Sequence, residues 1–157
     1  MSSKDKNLSS FSGKLPQLPN ARIGIAVAEW NEEVTFALLD GAKTLLKQAG
    51  IPESQISVIQ VPGSFELILA SQKLAQRDEI DGVIALGCII QGETRHFDFI
   101  CQAVATGISD VNLKYDKPVI FGVLTPDTQQ QALDRAGGKY GNKGEEAAYT
   151  VLRMIEL

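Results

Sequence analysis

The sequence has little of the chemistry that disulfides, metal centres and many catalytic sites require. Its 157 residues include two cysteines, one histidine and one tryptophan, and aromatic residues make up 6%. Cys88 lies in an apolar run and Cys101 in a helical pattern, with no partners at zinc spacing, so neither a metal nor a disulfide framework is predicted. A chain of this length can form a core without either. We therefore expect a reduced, cytoplasmic setting.

Other absences argue against whole classes of function. The formal net charge is -4 and no stripe of Lys and Arg is present, which disfavours nucleic acid as the main partner. No apolar run reaches the about 18 residues that span a bilayer, so no membrane partner is expected. Met1–Asn20 lacks the apolar centre of a secretory signal. Neither a dinucleotide-binding GxGxxG pattern nor a P-loop occurs.

The pattern that is present predicts an α/β fold. From Arg22 onward, short apolar runs alternate with longer segments of helical periodicity, which is typical of a parallel sheet. We predict one domain over residues 21–157, a three-layer αβα sandwich of flavodoxin-like type with sheet order 2-1-3-4. The predicted strands span residues 22–28, 56–61, 81–90 and 118–125. The predicted helices have caps at Asn31, Ser64, Thr94 and Thr125, and the last helix is predicted to run from about Asn142.

The segment before this domain is predicted to be a tail. Residues 1–20 are rich in Ser, Lys, Pro and Gly, so we expect them outside the core. Apolar residues between prolines from Phe11 to Asn20 can add a strand to the sheet edge of a neighbouring subunit.

Candidate functional residues follow the predicted strands. In an open parallel sheet, ligands bind beyond the carboxyl ends of the strands, where helix N-termini also meet. The third junction, GCIIQGETRHF, has Gly92 before Thr94, which suits either an anion site or an ordinary helix start. His96 is the one side chain with an ordinary pKa near neutrality, which makes it a candidate acid/base.

Four other residues have both a functional and a structural interpretation. Trp30 suits the core by hydrophobicity, although its place after a strand would let it stack on a heteroaromatic ring. Phe121 is open to the same two interpretations. Glu66 in a first helical turn is stabilised there whether or not it binds a ligand. Arg135 and the following GGKYGNKG segment suit either a solvated turn or an anion clamp.

Three separated segments together carry a family resemblance. They are VPGSFEL at residues 61–67, GCIIQGETRHFDFI at 87–100 and ALDRAGGKYGNKGEEAA at 132–148. The chain closely resembles the lumazine synthases of riboflavin biosynthesis from about Arg22 to its C-terminus. The resemblance implies condensation of 5-amino-6-(D-ribitylamino)uracil with 3,4-dihydroxy-2-butanone 4-phosphate to 6,7-dimethyl-8-ribityllumazine, the penultimate step of that pathway, without any cofactor.

The resemblance also implies roles for individual residues. His96 matches the family's general acid/base, and Trp30 matches the aromatic that stacks on the pyrimidine. The other pyrimidine and ribityl positions match Asn31, Ser64, Phe65, Glu66, Cys88, Ile89 and Ile90, with Phe121 supplied by a neighbouring subunit. The butanone phosphate positions match Glu93, Thr94, Arg135 and Lys143. Glu29, Gln91 and Arg95 stand where the family commonly has other residues, near the positions expected to bind the phosphate.

Oligomeric partners are implied as well. The family forms homopentamers, and a short turn between the last two helices, here Gly137–Gly141, is shared with members that assemble a 60-mer icosahedral capsid, which can enclose riboflavin synthase. Two alternatives share the architecture. One is an archaeal-type riboflavin synthase acting on two lumazines, and the other is a non-catalytic lumazine- or flavin-binding shell protein. A flavodoxin-like electron carrier would be isolated with bound flavin mononucleotide.

Overall fold

A computed structural model describes residues 14–157 of the chain. Four parallel strands form one sheet in the order β2-β1-β3-β4, which confirms the predicted topology. The strands are β1 (Ile23–Ala28), β2 (Ile56–Val61), β3 (Gly82–Cys88) and β4 (Val119–Leu124). The helices are α1 (Glu32–Gln48), α2 (Leu67–Ala75), α3 (His96–Tyr115), α4 (Gln129–Leu133) and α5 (Lys143–Ile155), and a 3₁₀ turn, Glu53–Gln55, precedes β2.

Both faces of the sheet are covered, which explains why the strands are continuous apolar runs. Side chains from alternate positions of β1 point to opposite faces: Ile23, Ile25 and Val27 pack in one core cluster, and Ala26 and Ala28 in the other. Helices α1 and α5 cover the first face, and α2 and α3 cover the second. The result is the predicted three-layer sandwich.

A small hairpin lies between α4 and α5. Strands β5 (Ala136–Gly138) and β6 (Gly141–Asn142) pair antiparallel, where the sequence predicts a turn. Gly137 and Gly141 have φ of 112° and 76°, a backbone region that favours glycine. The hairpin therefore needs glycine at these two positions.

Three predicted helix starts are wrong in detail, and in α3 the cap position is Arg95, one residue after the predicted Thr94. Helix α4 begins after Thr128, whose side chain accepts a hydrogen bond from the Gln131 N–H, and not at Thr125. The chain stays extended beyond β4 because the Gln91 N–H donates to the carbonyl of Pro126 at 3.0 Å. Helix α2 begins at Leu67, three positions after Ser64, so the Ser64 side chain is not its cap.

The end of the predicted tail packs on its own domain. Leu15 and Leu18 lie against the core cluster beneath α1, and the Leu18 N–H donates to the Ala49 carbonyl at 3.1 Å. Leu15 and Leu18 therefore pack near the C-terminal end of α1, and the boundary between tail and domain at residue 20 stays a prediction. The rest of the tail, including Phe11, lies outside the described residues, so strand addition to a neighbour stays a prediction.

Candidate active site

The carboxyl ends of β1, β2 and β3 enclose a cleft of about 530 Å³, which we call the rim cleft. Ten of the predicted site residues line it, joined by residues of the same loops and of the first turns of α3. The predicted ones are Trp30, Asn31, Ser64, Phe65, Glu66, Cys88, Ile89, Ile90, Thr94 and His96, and the additional ones are Gly63, Gly92, Phe97 and Ile100.

Backbone hydrogen bonds between strand ends place the indole of Trp30 over this cleft. The N–H of Glu29 donates to the Val61 carbonyl at 2.8 Å, and that of Trp30 to the Pro62 carbonyl at 3.1 Å. These bonds continue the β1–β2 pairing past the strands and leave 73% of Trp30 exposed. The core interpretation of Trp30 is therefore wrong, and its flat face is available for a heteroaromatic ring.

Asn31 holds the neighbouring strand end in place. Its backbone is left-handed, with φ 63°, and its amide donates to the Cys88 carbonyl at 2.9 Å instead of capping α1. Asparagine tolerates this backbone region better than most residues. The bond joins the β1 junction to the end of β3, where Ile89 and Ile90 form an apolar, half-buried wall of the cleft.

The floor of the cleft is apolar and chemically inert. Burial raises the pKa of the Cys88 thiol to about 12, so the thiol stays neutral and is no nucleophile near pH 7.

The side chain of Ser64 is buried against Gly87 of β3. It fits there because residue 87 is a glycine, since a Cβ at that position would lie 2.7 Å from the Ser64 hydroxyl. Glycine at position 87 thus makes room for a polar side chain against the sheet.

The start of α3 brings polar groups to the mouth of the cleft. His96 is exposed in the first turn, and its backbone N–H donates to the Thr94 hydroxyl at 3.4 Å. A Cβ added at Gly92 would meet nothing within 4 Å, so open space lies in front of this backbone. Free N–H groups of a helix N-terminus beside such space suit an anion. Glu93 is exposed on the same loop but does not line the cleft.

Three of the four remaining predicted site residues, all except Glu93, line a second cleft of about 640 Å³, the edge cleft, beside the edge strand β4. Phe121 is 41% exposed there, and Arg135 and Lys143 approach from the end of α4 and the start of α5. Lys143 is paired with Glu146 at 2.5 Å in a largely buried position. Within one chain, Phe121, Arg135 and Lys143 therefore lie in a different cleft from Trp30 and His96.

Several lining residues were not among the predicted ones. Phe97 and Ile100 of the rim cleft follow His96 on one face of α3, and their apolar i, i+3 spacing was the available signal. Gln131 and Glu146 of the edge cleft stand one helical turn from Arg135 and Lys143. Spacing alone could not show that these polar residues face a cleft.

Other kinds of site find no support in the described part of the chain. Among residues 14–157, no three His, Cys, Asp or Glu side chains are grouped as metal ligands. No helix within that range combines the length and apolar character needed to cross a membrane.

The fold and the rim cleft define a flavodoxin-like α/β protein whose site suits a heteroaromatic ring and an anion. Comparison with known proteins narrows this class. The family model described as 6,7-dimethyl-8-ribityllumazine synthase matches residues 20–157. The chain belongs to this synthase family and is thereby an enzyme, a transferase acting on small molecules.

Individual relatives give the same result. The chain is 61% identical over 155 residues to the 6,7-dimethyl-8-ribityllumazine synthase of Cytophaga hutchinsonii, covering 99% of this chain and 98% of that protein. It is 49% identical to the synthase of that name in Parabacteroides distasonis, covering 100% and 99%. The same-named protein of Lactiplantibacillus plantarum is 48% identical, covering 96% and 94%.

Proposed function

We propose that the chain condenses 5-amino-6-(D-ribitylamino)uracil with 3,4-dihydroxy-2-butanone 4-phosphate, giving 6,7-dimethyl-8-ribityllumazine, the penultimate step of riboflavin biosynthesis. The family match over residues 20–157 carries this proposal. The rim cleft supports it because an exposed indole, an apolar wall and a helix N-terminus border one space. These are the features that a planar pyrimidine and a phosphate require.

The pyrimidine lies between Trp30 and the wall formed by Ile89 and Ile90. Phe65, Ser64 and Glu66 follow β2 and border the same space, where hydroxyl and carboxylate groups can bind the ribityl chain. Asn31 contributes mainly by fixing the Cys88 carbonyl, because its amide nitrogen is already engaged there. The remaining amide oxygen can accept a hydrogen bond from the ligand.

The reaction needs proton transfers and positioning of two substrates more than it needs strong nucleophilic groups. The substrate amine attacks the ketone, water leaves to form an imine, phosphate is eliminated, and ring closure expels a second water. His96 borders the cleft at the mouth, where it can take protons from the amine and return them to the leaving oxygen atoms. Holding the two substrates together supplies much of the acceleration.

The phosphate is bound at the start of α3 by Thr94 and the backbone near Gly92, with Glu93 on the same loop. Arg135 and Lys143 complete this site from a neighbouring subunit, together with Phe121. Their position in the edge cleft of the same chain supports this arrangement, since one subunit brings only part of the set to each cleft. Cyclic symmetry would complete every site in the same way.

We infer that the active species is a cytoplasmic homopentamer, and that pentamers assemble into a closed icosahedral shell able to enclose riboflavin synthase. The short connection between α4 and α5, a hairpin ending at Asn142, supports the shell because it leaves little bulk between pentamer faces. We also propose that residues 1–20 form a tail and that residues 21–157 form a single domain.

Turnover of the purified chain with both substrates, in the presence of a metal chelator, tests the proposed reaction. Lumazine should form, followed by its absorbance and by stoichiometric release of phosphate. Incubation with lumazine alone should give no riboflavin. Formation of riboflavin would indicate the archaeal-type synthase instead. Binding of lumazine without turnover of the substrates would instead indicate the non-catalytic alternative.

A further inference from the structure

The β5–β6 hairpin folds back over the end of α4, next to Arg135. The Tyr140 N–H donates to the Asp134 carbonyl at 2.8 Å, and the Lys143 N–H donates to the Arg135 carbonyl at 2.9 Å. A Cβ at Gly138 would lie 2.7 Å from the Cα of Asp134, so a glycine is needed for this close approach. The hairpin is therefore built tightly against the residues that flank Arg135.

This fold-back brings the ring of Tyr140 to the guanidinium of Arg135. The Arg135 Cζ lies 4.9 Å from the ring centroid, within the range of a cation–π interaction. The Arg135 Nη1 also donates to the Gln131 carbonyl at 2.8 Å. Two contacts of different kinds thus fix the guanidinium, which lines the edge cleft together with Lys143.

The ring of Tyr140 also contacts a second cation, Lys139. Lys139 Nζ lies 4.8 Å from the Tyr140 centroid and 3.7 Å from a carboxylate oxygen of Asp134. Lys139 therefore has a carboxylate partner, whereas the hydrogen bond of Arg135 goes to a neutral carbonyl. Of these two cations, Arg135 lines the edge cleft and Lys139 does not.

We propose that Tyr140 is a positioning residue that orients Arg135 toward the phosphate of the substrate. The inference rests on the proposed function, in which Arg135 binds that phosphate. A guanidinium binds phosphate best through two parallel N–H groups, so its plane must be set before the substrate arrives. Stacking on a tyrosine face sets that plane, and because Nη1 donates to the Gln131 carbonyl, the Nε and Nη2 N–H groups are the ones that would bind the phosphate.

Substitutions at Tyr140 test the contribution of the ring apart from that of the hairpin backbone. We expect Tyr140→Ala to raise KM for the butanone phosphate roughly threefold to tenfold, the size of a partly exposed cation–π contact. KM for the pyrimidine and kcat should change less than about twofold, because neither depends on the plane of Arg135. Tyr140→Phe should restore wild-type values, and Tyr140→Leu, which keeps apolar bulk without a π face, should resemble Tyr140→Ala.

Tyr115→Ala is the matched control, because Tyr115 also lies under a lysine, with Lys114 Nζ 5.2 Å from its centroid, but on α3 away from the edge cleft. This variant should leave KM for the butanone phosphate unchanged. In an Arg135→Lys background, Tyr140→Ala should add little to the loss. Additive losses, an unchanged KM in Tyr140→Ala, or a Phe variant as poor as Ala would overturn the inference.

Binding of inorganic phosphate, measured by calorimetry on the assembled protein, distinguishes this inference from the reaction itself. Tyr140→Ala and Tyr140→Leu should weaken phosphate binding by the same factor as they raise KM. Wild-type protein that binds phosphate but forms no lumazine would contradict the proposed function alone. Equal phosphate affinity in the wild type and in both variants would contradict the role of Tyr140 alone.

Discussion

At the scale of the residue, the proposed chemistry depends on one imidazole at the start of α3. His96 is the single histidine of the sequence, and it lies exposed in the first helical turn, beside the space in front of Gly92. The neutral imidazole is the form that can accept a proton from the attacking amine.

Replacement of His96 by alanine should slow turnover by roughly tenfold to a thousandfold, the usual contribution of a general acid/base. Activity should not vanish, since the two substrates remain bound next to each other. Steady-state kcat with both substrates measures the effect, and the thermal unfolding midpoint should stay at the wild-type value. An unchanged kcat would remove His96 from the mechanism.

Arg135→Lys should weaken binding of the butanone phosphate while leaving pyrimidine binding nearly intact. A lysine keeps the charge but cannot make the bidentate contact or stack on Tyr140 as a planar group does. Dissociation constants of the two ligands, measured separately, test this expectation. Equal loss for both would show that the change damages the fold or the interface between subunits.

Single residues were predictable from the sequence where the topology decides their place. Parallel strands end at one edge, so residues after β1, β2 and β3 had to lie together whatever their side chains do. Exposure of Trp30 was not predictable from hydrophobicity, because backbone bonds to the β2 junction hold it out. The side chain of Asn31 likewise bonds across the sheet to Cys88, a partner 57 positions away.

At the scale of the element, the junction of α1 and α5 depends on a buried amide. The Asn142 side chain accepts a hydrogen bond from the Gly144 N–H at 2.8 Å and donates to the Ala37 carbonyl at 2.9 Å. Gly144 is needed as well, because a Cβ there would collide with the Leu38 carbonyl. The start of α5, which holds Lys143, is thereby attached to the body of α1.

Asn142→Ala should lower the free energy of unfolding by about 1–3 kcal/mol, because it removes both a helix cap and the hydrogen bond that links α5 to the Ala37 carbonyl of α1. Thr128→Ala is the matched control, since it removes a cap that is exposed and belongs to short α4. The control should cost less, about 1 kcal/mol. Chemical denaturation measures both, and equal losses would contradict the role of the buried link.

Long elements were predictable, and short ones were not. Helix α1 and the four strands follow from periodicity and apolar runs, because their burial requires those patterns. The start of α4 was placed three positions early, since Thr125 and Thr128 are equally good caps and only the extended pairing of Pro126 with Gln91 decides between them. The β5–β6 hairpin has strands too short to leave a pattern.

At the scale of the whole molecule, the two clefts explain why a subunit is expected to act only with its neighbours. Trp30 and His96 line one cleft, whereas Phe121 and Arg135 line another beside the edge strand β4. A ring in which each rim cleft faces the next subunit's edge cleft would unite both sets.

Sedimentation of the purified protein should show a species far larger than a pentamer, consistent with a closed shell. A species of pentamer mass would refute the shell and retain the shared site. An active monomer would contradict both, because it would show that one chain forms a complete site by itself.

The most direct test of the shared site is complementation between two impaired variants. His96→Ala and Arg135→Ala subunits are unfolded, mixed in equal amounts and reassembled, and each variant is reassembled alone as a control. If His96 and Arg135 of one site come from different subunits, random mixing restores about a quarter of the sites to full wild-type composition. Turnover with both substrates should then rise well above the mean of the two controls, toward about a quarter of the wild-type rate. Activity no greater than that mean would show that His96 and Arg135 act within one chain or not together, and would contradict the central claim.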